Sequence, residues 1–134
     1  MSIRIVRLGV TPRLPDEGPR LGTVRRPPRG VRKEDYGRLD YYDSWLPLLS
    51  PSPELMARAK AAQAQADEQP WAAFARAYRK EMSEPAPSQV LDALAALSHT
   101  ANLSMGCYCE NPARCHRGLL TQLLQERGAA LRVD

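Results

Sequence analysis

The chain has 134 residues, 43 % hydrophobic and 25 % charged, with a formal net charge of +4. That is the length of one ordinary domain and the composition of a globular chain, which excludes disordered and coiled-coil classes. No apolar run approaches the ~20 residues of a membrane helix, Arg4 and Arg7 break any signal-like stretch, three cysteines are too few for a disulfide framework, and no tandem repeat is present.

Ser2–Val10 alternates, with Ile3 and Ile5 against Arg4, then Val6, Leu8 and Val10 against Arg7, and predicts a strand. Leu21–Arg25 predicts a second, shorter strand that stops before Pro27. These segments lie in the basic third of the chain. Residues 1–38 hold ten Arg or Lys against four acids, whereas residues 39–134 hold nine against eleven. Five of the twelve prolines share that basic third. The string Arg25-Arg26-Pro27-Pro28-Arg29-Gly30-Val31-Arg32-Lys33 predicts a stiff loop or polyproline II, because proline fixes φ and lacks a donor. Such a segment is either a solvated loop or an anion site, since guanidinium groups on a low-entropy backbone suit phosphate and carboxylate. Nucleic acid is one possible partner. The segment has no aromatic on which a base could stack, which favours a small anion.

Residues 30–52 are mixed, with an apolar cluster at Trp45-Leu46-Pro47-Leu48-Leu49. Ser52-Pro53-Glu54 is a helix start: a hydroxyl cap, proline at the first helical position, and an acid in the first turn. It opens an Ala-rich helix over Pro53–Asp67. Gln69-Pro70-Trp71 opens another that runs to about Met82, with Trp71, Phe74, Ala75, Tyr78 and Met82 on one core-facing side. Ser88–Ser98 repeats the pattern with Val90, Leu91, Leu94, Ala95 and Leu97. Ala101–Cys109 predicts a buried strand. Asn111 then predicts a cap for a helix beginning at Pro112 and ending before Gly128, and Ala129–Val133 a short last strand. Helix–strand–helix–strand order predicts an α/β fold: a three-layer sandwich with a mainly parallel sheet, one domain over residues 1–134. The glycine patterns of dinucleotide and P-loop sites are absent.

All three cysteines and one of two histidines fall in Cys107-Tyr-Cys-Glu-Asn-Pro-Ala-Arg-Cys-His-Arg117. This stretch joins a strand to a helix, where open α/β sheets bind ligands. Helical geometry places His116 on the arc of Leu119, Leu120, Leu123 and Leu124, so its ring faces the sheet and needs a partner, with Glu110, Cys107 or Cys109 in reach. Four readings compete. The first is purely structural. The second is a reactive thiol at Cys109 or Cys115, since a helix N-terminus and nearby Arg stabilise a thiolate. Cys109 and Arg114 give the Cys-x4-Arg length of rhodanese-like sulfurtransferases, with Asn111-Pro112-Ala113 where glycine is usual; the Cys-x5-Arg of tyrosine phosphatases is absent. The third is an anion site at the helix start with Arg114 and Arg117. The fourth is zinc on Cys107, Cys109, Cys115 and His116. Two arguments disfavour it: adjacent Cys115 and His116 diverge on a helix, and Cys-x-Cys is tighter than the usual two-residue gap. A Cys107–Cys109 disulfide is disfavoured by the spacing of next-nearest residues on a strand.

The chain also resembles the domain-of-unknown-function 488 (DUF 488) family. That family has an early strand, an "RLWPRG" segment, a "W…PS.EL" element, an "F…Y..EL" helix and a late "C.E……CHR" motif. Here stand Arg25-Arg26-Pro27-Pro28-Arg29-Gly30 with Lys33-Glu34, Asp43-Ser44-Trp45, Ser50-Pro51-Ser52-Pro53-Glu54-Leu55, Phe74 with Tyr78 and Glu81-Met82, Cys107-Tyr-Cys109-Glu110, and Cys115-His116-Arg117. Pro27 and Val24 replace the aromatic and the acid usual in the first motif. The resemblance implies an α/β fold and a cytoplasmic location, supplies no activity, and suggests that the Pro-Arg-Gly and Cys-His-Arg segments form one site. The leading expectation is therefore a small anionic ligand held by Arg25, Arg29, Arg114 and Arg117 with Glu110 orienting. Cys109, Cys115 and His116 are the residues for any thiol chemistry, and nucleic-acid association is a further alternative. No metal, cofactor or membrane partner is expected.

Overall fold

The structure, a computed structural model, describes residues 1–63, 68–109 and 115–132. The strands are β1 (Ile3–Arg7), β2 (Arg20–Gly22), β3 (Ser44–Trp45), β4 (Leu103–Cys107) and β5 (Leu131–Arg132). The helices are α1 (Pro53–Gln63), α2 (Glu68–Met82), α3 (Pro85–Leu97) and α4 (His116–Glu126). The sheet order is β3-β2-β4-β1-β5, and every pairing is parallel. This is the predicted α/β fold with a parallel sheet. No helix among the described residues is long and apolar enough to cross a membrane.

Strand parity sorts the two faces of the sheet. Ile3 pairs with Leu103 and Ile5 with Met105. Ile3, Leu103 and Met105 join one core cluster with Leu55 and Ala59 of α1, Phe74, Tyr78 and Met82 of α2, Leu91 and Leu94 of α3, and Leu119, Leu120, Leu123 and Leu124 of α4. On the other face Arg4, Ser104 and Arg20 are in register. All three bond the buried carboxylate of Glu17: Arg4 Nη1 at 2.9 Å, Arg20 Nη2 at 2.9 Å and Nε at 3.1 Å, and the Ser104 hydroxyl. The layer over this face is thus a loop carrying an ion cluster, not a helix.

Element ends follow local chemistry. β1 stops at Arg7 because Val10 and Thr11 turn their N–H groups back to its carbonyl, with Gly9 at φ 78°. α1 starts as predicted, with Ser52 Oγ accepting from Leu55 N–H; residues 64–67 of the predicted helix lie outside the described residues. α3 begins at Pro85, three residues before the predicted start, because Pro85 and Pro87 both fall in the first turn, where no intrahelical N–H is owed. α4 ends with Gly128 at φ 78° as predicted.

Its start is a correction. The helix does not run from Pro112 through residue 115: Cys115 is extended, at φ −139° and ψ 147°, and is itself the N-cap. The Asn111-Pro112 signal lies outside the described residues.

Candidate functional site

In a parallel sheet all carboxyl ends point one way, so loops gather there. Beyond the ends of β1, β2 and β4 lies a cleft of about 900 Å³. Arg7, residues 24–29, Tyr41, Lys60, residues 107–109 and His116 line it, with Met56, Ala59 and Phe74 on its apolar side.

The basic segment is pinned in the cleft wall by hydrogen bonds from three directions. Arg25 donates from Nε to the Pro51 carbonyl at 3.1 Å and from Nη2 to the Ser50 and Pro51 carbonyls at 3.1 and 3.0 Å. Trp45 Nε1 donates to the Val24 carbonyl at 2.7 Å. Tyr108 Oη donates to the Arg26 carbonyl at 2.9 Å, joining the end of β4 directly to the basic segment. Arg25 is therefore a strut. Arg26, Arg29 and Lys60 are exposed, and none of their cationic groups makes an ion pair or hydrogen bond among the described residues.

Most other N-terminal cations are already partnered. Arg4 and Arg20 bond Glu17. Arg13 is bidentate to Asp43 at 2.9 and 3.1 Å. Arg7 Nε donates to the Tyr108 carbonyl. Arg32 and Arg38 lie beside Glu34 and Asp35. Arg7 and Arg25 keep their charge but spend their donors on backbone carbonyls, so the cationic donors open to the cleft are those of Arg26, Arg29 and Lys60.

The Cys–His stretch closes the inner end. Cys107 Sγ lies 2.8 Å from Cys115 Sγ, and Cys115 Sγ lies 4.0 Å from His116 Nδ1. None of the three thiols is in a disulfide. His116 Nε2 lies 2.7 Å from the Thr23 carbonyl. A carbonyl only accepts, so Nε2 carries the proton and Nδ1 presents its lone pair toward the thiols. Burial pushes the His116 ring below its ordinary pKa, which keeps it neutral. The edge of its ring meets Tyr78 at 5.8 Å between centroids. The Nε2 partner is thus the backbone carbonyl of Thr23, one residue beyond β2, a partner not foreseen from the sequence.

Hydrogen bonding with Cys109, together with burial, pushes the Cys107 thiol up to about 12. Hydrogen bonding with Cys107 and Cys109, with burial, pushes Cys115 up as well. For Cys107 and Cys115, both buried, a charge on one thiol faces the sulfurs beside it, which holds both pKa values up. The ligand atoms of Cys107, Cys109, Cys115 and His116 all lie within 4.8 Å of one another. The divergence argued from helical geometry does not arise, because Cys115 precedes the helix.

The remaining predicted residues separate. Arg29 and Arg25 line the cleft with Cys109 and His116. Arg117 does not: it is buried, its Nη1 donates to the Val6 carbonyl at 3.2 Å, and it borders a second depression of about 280 Å³ with Thr11 and Thr121. Glu110 and Arg114 lie outside the described residues. Sequence reasoning missed Arg26, Lys60, Tyr108 and the Thr23 carbonyl. Arg26 was visible inside the basic string, and Tyr108 between the cysteines. Lys60 sits on a weakly amphipathic helix and Thr23 contributes a backbone atom, so neither carries a sequence signal.

A family model, DUF488-N3a, described as the active DUF488-N3 subclade, matches residues 3–128. The chain belongs to the DUF488-N3a family. The matched span of this DUF488 protein includes both the basic segment and the Cys-His-Arg stretch. No curated protein and no solved structure matches the chain.

Proposed function

We propose that this DUF488-N3a protein binds a small organic anion, phosphate- or carboxylate-bearing, in the cleft at the carboxyl ends of its strands. The observation that carries the reading is that one cleft is lined by both the Arg25–Arg29 segment and the Cys107–Cys109 and His116 end of β4. Arg26, Arg29 and Lys60 supply cationic donors without internal partners. Arg25 and Tyr108 hold the segment that carries them. The volume of about 900 Å³ exceeds what an inorganic anion fills and lies within the range of small-molecule sites. Met56, Ala59 and Phe74 offer that ligand an apolar wall.

Calorimetric titration with phenyl phosphate at low salt tests this. The expected outcome is saturable binding that weakens as salt rises. Arg26→Gln and Arg29→Gln each remove a charge-assisted hydrogen bond worth about 1.5–3 kcal/mol, so each weakens binding about tenfold or more. Arg38→Gln, which removes an exposed cation beside Asp35 and outside the cleft, leaves it unchanged. Absence of saturable heat, or equal loss in all three variants, overturns the proposal.

A further inference from the structure

We infer that Cys107, Cys109, Cys115 and His116 form a closed site for a divalent zinc-type ion, which fastens the end of β4 to the start of α4. The proposed ligands Cys107, Cys109 and His116 also line the cleft, but neither Arg26 nor Arg29 takes part, so a metal titration can fail or succeed independently of anion binding.

Three thiols and one imidazole, with every ligand atom within 4.8 Å of the others, match a structural Cys3His centre in number and type. Zn–S bonds of about 2.3 Å in a tetrahedron put sulfurs roughly 3.8 Å apart. The Cys107 and Cys115 sulfurs, at 2.8 Å, lie inside that edge, and Cys115 Sγ stands 4.0 Å from His116 Nδ1, against roughly 3.6 Å for a sulfur–nitrogen edge with Zn–N of about 2.0–2.1 Å. Cys107 and Cys115 need to part by only about 1 Å for an ion to enter.

A metal-bound imidazole ordinarily donates its other N–H to a carbonyl or carboxylate, which fixes the tautomer and ring orientation. His116 has that arrangement before any ion is present: Nε2–H donates to the Thr23 carbonyl at 2.7 Å, and Nδ1 faces Cys115. Its free ring nitrogen thus stands within 4.8 Å of the three sulfurs, on the side away from the Thr23 carbonyl bond.

No cationic side chain is bonded to Cys107 or Cys115 among the described residues. A divalent cation supplies the compensation that lets clustered thiols bind as thiolates. Four protein ligands leave no open position, so the ion's role is to fix the chain and not to activate water. The ligands come from the last residue of β4, the residue two beyond it, the N-cap of α4 and its first residue. Fixing them also fixes Tyr108 between two ligands, and through it the Arg26 carbonyl.

The test uses the full chain, reduced and freed of metal, titrated with Co²⁺ alone. The expected result is one Co²⁺ per chain, with the intense visible bands of tetrahedral coordination and near-ultraviolet thiolate charge transfer, displaced by one equivalent of Zn²⁺. Cys109→Ser alters a half-buried ligand and so spares the core; it should cut the charge-transfer intensity by about one-third. His116→Gln should shift the visible bands. Arg29→Gln should leave the spectrum unchanged. The inference fails if Co²⁺ gives only a weak octahedral spectrum, or if Cys109→Ser, verified as folded by circular dichroism, keeps full intensity. It also fails if the unreduced, denatured chain as purified titrates one thiol instead of three, which would mean a Cys107–Cys115 disulfide.

Discussion

Replacing Glu17 by Gln removes the carboxylate between two arginines that are almost wholly buried: Arg4 is 6 % exposed, Arg20 0 % and Glu17 2 %. Burial alone would raise the Glu17 pKa. Hydrogen bonds from Arg20, Ser104 and the Leu14 N–H, with the charge of Arg20, outweigh it and lower the value from 4.5 to about 2. At 1.36 kcal/mol per pKa unit, that shift is worth about 3 kcal/mol of stability. Because the folded value is the depressed one, the contribution is complete above about pH 4.5 and is lost as pH falls toward about 2. The variant also strands two buried guanidinium groups, and breaking a buried pair from one side costs about 3–5 kcal/mol. Urea denaturation of wild type and Glu17→Gln, repeated from pH 7 down to pH 2, measures this. The difference between the two proteins should be about 3 kcal/mol or more at pH 7 and should narrow below pH 4.5. A gap under about 1 kcal/mol at pH 7, or one that does not change with pH, refutes the reasoning.

Three further substitutions probe the frame around the cleft. Tyr78→Phe strips the hydroxyl that donates to the Leu49 carbonyl at 2.7 Å; it should cost about 1–2 kcal/mol in urea denaturation, and no loss would show that bond to be idle. Gly106→Ala places a Cβ 1.9 Å from the Val6 carbonyl oxygen between two central strands, so thermal unfolding should show a loss of roughly 3 kcal/mol or no folded protein, while Gly37→Ala, with nothing within 4 Å, should be near neutral. Gly128→Ala puts a side chain at φ 78° beyond α4 and should lower stability by about 1 kcal/mol; a neutral result would mean that the turn relaxes.

Much of the fold was legible because its signals are local. The Trp71, Phe74, Tyr78 and Met82 spacing reported the buried side of α2, where Phe74, Tyr78 and Met82 are buried and Trp71 partly so. Ser52-Pro53 reported the start of α1, and Gly128 the end of α4. β3 was not legible, because Ser44 and Trp45 alone are too short to show alternation and their pairing with Leu21 and Gly22 is long-range. The start of α4 was misread because Asn111-Pro112 is a strong local cap signal, whereas Cys115 is extended and its thiol packs on Cys107 of β4. That error carried into the site. Helical geometry at Cys115 counted against a four-ligand centre, whereas with Cys115 extended all four ligand atoms lie within 4.8 Å of one another. Composition showed where the charge lies along the chain but not how much of it is spent internally. Glu17 absorbs Arg4 and Arg20, Asp43 absorbs Arg13, and Arg25 is committed to two carbonyls. Arg117 reads as a ligand residue beside His116 in sequence, yet the turn between them sends it to Val6.

The proposed anion site unites the basic segment with the Cys–His end of β4. Two-dimensional amide spectra of the ¹⁵N-labelled full chain, recorded as phenyl phosphate is added, test it most directly. The amides of Arg26, Arg29, Tyr108 and Cys109 should shift together along saturating curves that share one Kd. Shifts confined to arginines and spread without saturation over Arg32, Arg38 and Arg132, with Tyr108 and Cys109 unmoved, would contradict it.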